Sequence, residues 1–144
     1  MESDKKTIAR ILDMPEGQVG IDEYSYAPEF PDEIKAWKFI GKTDPALRRY
    51  QNDLYYPPSA LISLIDLVTE LLFRSRFNGL GGFPALVAND SRFRKPVMPE
   101  NKLLIQVKLL RNYKGRIGIF SGVIANREGD IVAENISKGT IIRT

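Results

Sequence analysis

With 144 residues, 43% of them hydrophobic and 27% charged, the chain can close a proper core and belongs among ordinary globular proteins, not disordered or fibrous ones. It has no cysteine and no histidine, which removes disulfides, thiolate zinc sites, a cysteine nucleophile, and the usual neutral-pH general base and metal ligand. A net charge of +3 describes a slightly basic solvated surface, without the concentrated patch that nucleic-acid binding needs.

The start, MESDKKTIAR, carries no long apolar run, so no signal peptide is read there and a cytoplasmic location is expected. Residues 4–13, DKKTIARILD, place Ile8, Ile11 and Leu12 on one face of a short amphipathic helix ended by Pro15 and Gly17. Residues 16–34 contain Pro28, Pro31 and the aromatic trio Tyr24, Tyr26 and Phe30, and read as a loop or edge segment lying over the body. Ile34 to Ile40, with Trp37 and Phe39 set against Lys35 and Lys38, reads as a first strand. An irregular approach from Asp44 to Tyr56 leads to a Pro57-Pro58 stop.

The longest apolar helical pattern follows. From Ala60 to Phe73 the only polar residues are Ser63, Asp66, Thr69 and Glu70. At about 100° per residue these four and Ser59 fall within one arc of roughly 120°, so the helix is buried on its other sides. Its acid pair and polar flanks make it a core helix and not a membrane span. After the glycine-rich NGLGGFP come four strand-like runs: Pro84 to Arg94, Lys102 to Tyr113, Arg116 to Asn126 and Ile131 to Arg143. Leu103, Ile105, Val107 and Leu109 alternate with their neighbours in the period of a sheet with one buried face. NYKGR and NREGD are hairpin turns with glycine where positive φ is needed, and an antiparallel meander is expected. Strand, buried helix, then four strands predicts an α+β domain over residues 1–144: a curved antiparallel sheet wrapped around the helix. Residues 1–33 form its N-terminal helix and covering loop, and 34–144 its core.

The segment SRFRKPVMPENKLLIQVKLLRNYKGRIGIFSGVIANREGDIVAE resembles the C-terminal half of the β-hydroxyacyl-acyl carrier protein dehydratases, which have the hot-dog fold. The likeness rests on Phe93, Arg94, Lys95, Pro96, Val97, Met98 and Pro99, then Phe120, Gly122, Val123, and Val132, Ala133, Glu134. That family has a catalytic histidine eight residues before the proline that precedes the helix, and an acid six residues after it. Counted from Pro58, those places hold Tyr50 and Leu64; counted from Pro57, Arg49 and Ser63. Neither count restores the pair. Dehydration needs a base and an acid, and a tyrosine with an unperturbed pKa near 10 substitutes poorly for imidazole.

Leu61 to Val68 is similar instead to the helix start of the phenylacetate-type hot-dog acyl-CoA thioesterases, where an aspartate activates water or attacks the thioester and helix-start amides hold the carbonyl oxygen. The similarity places that acid on Asp66, although Pro57, Pro58 and Ser59 replace the histidine-glycine-glycine of that family. The plainer reading of Asp66 is a water-facing stripe, shared with Ser63 and Glu70, or a dimer contact.

Tyr50 and Asp66 are the catalytic candidates, and Tyr50, Pro58, Ser59, Ser63 and Leu64 the candidate ligand contacts; no metal and no cofactor is expected. Glu70 and Arg74 read as a structural i,i+4 pair. Arg92, Arg94, Lys95, Arg111, Lys114 and Arg116 would suit carrier-protein or coenzyme A phosphates only if gathered at a tunnel mouth. The resemblance implies acyl-ACP or acyl-CoA as ligand and a homodimer, with a trimer of dimers or a heterodimer with a catalytic paralogue as alternatives; neither nucleic acid nor membrane is expected as a partner. The leading expectation is a dehydratase-like protein that handles acyl thioesters without standard dehydratase chemistry. A thioesterase using Asp66 and a non-catalytic partner subunit are the alternatives.

Overall fold

The computed structural model describes residues 2–77, 83–114 and 116–142. In chain order they form β1 (Glu2–Asp4), α1 (Lys5–Leu12), a 3-10 turn (Glu16–Gln18), β2 (Glu23–Ser25), β3 (Glu33–Ile40), β4 (Arg48–Tyr50), β5 (Asp53–Tyr55), α2 (Pro58–Arg76), β6 (Phe83–Phe93), β7 (Asn101–Tyr113), β8 (Ile117–Ala125) and β9 (Ile131–Ile142). Seven strands make one sheet in the order β1-β2-β3-β7-β8-β9-β6, with every neighbouring pair antiparallel. Strands β4 and β5 pair only with each other. A long helix laid across a curved antiparallel sheet is the α+β hot-dog arrangement expected from the sequence.

Helix α2 begins at Pro58, where a residue without an N–H costs nothing because first-turn donors have no intrahelical partner. It buries Leu61, Leu64, Ile65, Val68, Leu71, Leu72 and Phe73. Thr69 is also buried, and its hydroxyl donates to the Ile65 carbonyl at 2.7 Å, which satisfies it inside the helix. The helix lies on the inward residues of the sheet, among them Leu103, Ile105, Val107, Phe120 and Ile124. Helix and sheet pack tightly at Gly122 of β8, where an added Cβ would stand 2.5 Å from Ile65 Cγ2. Helix α1 is capped by Asp4, which accepts from the Thr7 N–H at 3.1 Å. It is tied to α2 by Arg74, which pairs with Glu70 at 3.1 Å and donates to the Ile11 carbonyl at 3.4 Å.

Three details differ from the sequence reading. Residues 16–34 do not merely cover the body: β2 pairs with β1 and β3 inside the sheet, with Val19, Ile21 and Tyr24 buried. The last four strands are not one meander. Strands β7, β8 and β9 follow one another, but β6 pairs with β9 at the far edge and β3 takes the place beside β7. In β3 the inward residues are Ile34, Ala36 and Ile40, while Phe39 is exposed on the opposite face. The inward place between them is held by Lys38, paired with Asp44 at 3.2 Å. At the NREGD turn Gly129 has φ 87, as its turn requires. Lys114 takes positive φ in the other turn, and Gly115, Gly79, Gly81 and Gly82 lie outside the described residues.

Candidate functional site

The polar stripe of α2 faces β6 and β9, and a groove of about 270 Å³ runs between them. Its helix wall carries Ser63, Asp66 and Glu70; Leu86, Phe120 and Gly139 line it from the sheet. Phe73 joins Phe120 on its apolar side, their ring centroids 5.8 Å apart. The three polar groups on the helix differ in what engages them. The Ser63 hydroxyl donates to the Ser59 carbonyl at 3.0 Å, and Glu70 is neutralised by Arg74. Asp66 is half-buried and has no cationic partner among the described residues. Burial raises its pKa above the usual carboxylate value, opposed by a hydrogen bond from the Asn89 amide of β6 at 3.4 Å. A carboxylate that holds its proton more tightly is also the better base when ionised, and its position on an apolar groove suits activation of water or attack on a carbonyl.

Of the catalytic and ligand-contact candidates named from the sequence, the groove brings together Ser63 and Asp66 only. Tyr50 is 69% exposed at the end of β4, and Pro58 and Ser59 are exposed at the start of α2. Leu64 points into the core and is 3% exposed. Asp66 lies eight positions after Pro58, about 12 Å along the helix axis. Pro57 and Pro58 have no N–H, and the N–H groups of Ala60 and Leu61 turn back on the Pro57 carbonyl at 3.0 and 3.3 Å. The basic residues do not gather at the groove: Arg94 is engaged by Glu134, and Lys95 by Asp130 at 3.0 Å. Among the described residues there is no group of three His, Cys, Asp or Glu side chains able to hold a metal, and no helix long and apolar enough to cross a membrane.

Asn89 was not anticipated. Its signal is a polar run, Asn89-Asp90-Ser91, in an otherwise strand-like segment. A register shift between Leu86 and Ala88 changes the alternation, so that Leu86, Asn89 and Ser91 face inward opposite Gly139, Ser137 and Asn135.

No family model matches this sequence, and no curated protein matches it. Solved structures do match. A thioesterase from Haemophilus influenzae superposes with TM-score 0.76 at 12% identity, over 98% of this chain and 91% of that one. A hypothetical thioesterase from Streptococcus pneumoniae, solved with coenzyme A, gives TM-score 0.67 at 15% identity over 84% and 91%. The PaaI protein of the phenylacetic acid degradation operon of E. coli gives 0.64 at 18% identity over 76% and 72%. The chain has the fold of the hot-dog thioesterases. The dehydratase half of the sequence resemblance is not confirmed: two of these three neighbours are named thioesterases and none a dehydratase, and the positions of the dehydratase pair hold an exposed tyrosine and a core leucine.

Proposed function

We propose that this chain binds acyl thioesters of coenzyme A and hydrolyses them, with Asp66 as the reacting carboxylate. The observation that carries this reading is Asp66 itself, a half-buried acid with a raised pKa on the wall of an apolar groove, free of the cation that neutralises Glu70 one turn away. It acts either as a base or as a nucleophile. As a base it takes the proton of a water whose oxygen attacks the thioester carbon, and hands that proton to the departing thiolate. As a nucleophile it expels the thiolate to leave an acyl–Asp66 anhydride, which water then cleaves to the free acid and the regenerated carboxylate, the second water proton going to the thiolate. Coenzyme A is favoured as the thiol because the S. pneumoniae neighbour was solved with it. The acyl part is placed against Leu86, Phe73 and Phe120.

Hydrolysis also needs donors for the oxyanion, and at the start of α2 the two prolines have no N–H while those of Ala60 and Leu61 are engaged by the Pro57 carbonyl. Strand β6 ends the sheet, and its exposed Leu86 and Val87 lie next to the groove. Two copies joined along β6 would bring a second chain's groups to Asp66, so the working unit is proposed to be a homodimer. The dehydratase reading has no comparable support, since no base accompanies the acid.

The test is release of free thiol from acetyl-, octanoyl- and benzoyl-CoA. Wild-type protein is expected to release it, and Asp66→Asn to lower turnover by about 10²–10⁴-fold, the usual worth of an acid–base group. No release from any of the three, or an undiminished Asp66→Asn variant, would sink the reading.

A further inference from the structure

We propose that Asn89, held in orientation by Ser91, is a positioning residue for Asp66. This rests on Asp66 being the reacting carboxylate. The geometry is a relay across two elements: the Ser91 hydroxyl donates to Asn89 Oδ1, and Asn89 Nδ2 donates to Asp66 Oδ1 at 3.4 Å. Its polarity follows from charge. An ionised carboxylate can only accept, so the amide must present its N–H₂ to Asp66 and its oxygen to Ser91, which must then donate. Ser91 therefore fixes which way the amide faces, and the amide fixes one carboxylate oxygen while leaving Oδ2 for water or substrate. The bulge between Leu86 and Ala88 is what turns Asn89 and Ser91 inward together. Behind them, on the same sheet face, stand Ser137 and Asn135 of β9, both buried and with side-chain groups that bond to nothing among the described residues. The pair thus belongs to a polar corner of the inner sheet face, cut into an otherwise apolar surface.

The other titratable group on the groove wall is Glu70, on the same helix and paired with Arg74; the sheet residues facing Asp66 across the groove, Ala85, Leu86, Phe120 and Gly139, carry no charge. Asn89 is accordingly the group whose removal changes Asp66 most directly. Losing a donor to a carboxylate disfavours the ionised form, so the Asp66 titration moves to higher pH.

The experiment is an NMR titration of the Asp66 carboxyl carbon in the full chain, assigned by its loss in Asp66→Asn, together with the pH profile of thioester hydrolysis. In Asn89→Ala the midpoint is expected to rise, by up to about a tenfold change in the ionisation equilibrium. The acid limb of kcat should rise with it while KM stays put. Ser91→Ala should move both in the same direction by less, and Asn89→Ser, which keeps a donor, should restore part of the shift. Unchanged midpoints in both Asn89→Ala and Ser91→Ala would overturn the proposal, as would a loss of rate equal at every pH. If wild-type protein turns over none of the thioesters, the catalytic reading falls while the titration still decides whether Asn89 tunes Asp66.

Discussion

Asp66 sits where a carboxylate is uncomfortable, and that discomfort has a measurable sign. Burial raises its pKa in the folded chain relative to the unfolded one. The folded state therefore keeps its proton to higher pH, and the stability linked to that proton is fully present below the ordinary carboxylate range and lost as pH rises through the folded value. At neutral pH the ionised group is a net cost to the fold. Asp66→Asn removes the charge and keeps a side chain that Asn89 can still engage. The variant is expected to melt at higher temperature than wild type at neutral pH, with the difference closing as the solution is acidified through the carboxylate range. Melting curves across that range check it; a difference independent of pH, or of the opposite sign, counts against the assignment. Stability gained together with activity lost would mark Asp66 as a residue kept for chemistry.

Among the elements, α2 and β8 show how closely the helix packs on the sheet. Gly122 lets the helix approach so closely that a Cβ would meet Ile65 at 2.5 Å and Asn135 Oδ1 at 2.6 Å. Gly122→Ala is expected to lower stability by about 1–3 kcal/mol, the range for overpacking a closed core, and denaturant unfolding would show it. Such contacts explain what the sequence could and could not tell. The length of α2, its polar stripe and strands β7, β8 and β9 follow from local periodicity and turns, which neighbouring residues encode. The pairing of β6 with β9 is non-local, carried by no turn between them. The lysine facing inward on β3 reads as a surface residue until Asp44 is seen to neutralise it. Within the candidate site, Asp66 could be singled out because a polar stripe on a mostly apolar helix, and the likeness of Leu61 to Val68 to a thioesterase helix start, are visible in the chain. Asn89 could not, since the bulge hides which side of β6 it occupies and 23 residues separate it from its partner.

For the whole molecule the telling feature is the free edge. Strand β6 is 11 residues long, closes the sheet on one side, and carries Leu86 and Val87 at 40% and 54% exposure. A long free edge with exposed apolar side chains invites pairing, and a second copy is the occupant that also completes the proposed site. Val87→Glu places a charge in that edge and away from the core. It is expected to shift the species seen by light scattering from dimer to monomer and to abolish thiol release with little change in helix content. A wild-type monomer that remains fully active would remove the dimer from the mechanism.

Gly139 has one more consequence. It lines the groove with no side chain, and a Cβ there would meet only the Phe120 ring at 3.5 Å and the Ala85 carbonyl at 3.7 Å, both ordinary contacts. Unlike Gly122, this glycine is not demanded by the packing around it, and in mid-strand it costs about 0.5–1 kcal/mol relative to alanine. On the proposed function, position 139 is a size gauge left open: larger side chains there are expected to narrow, step by step, the range of acyl groups the groove admits.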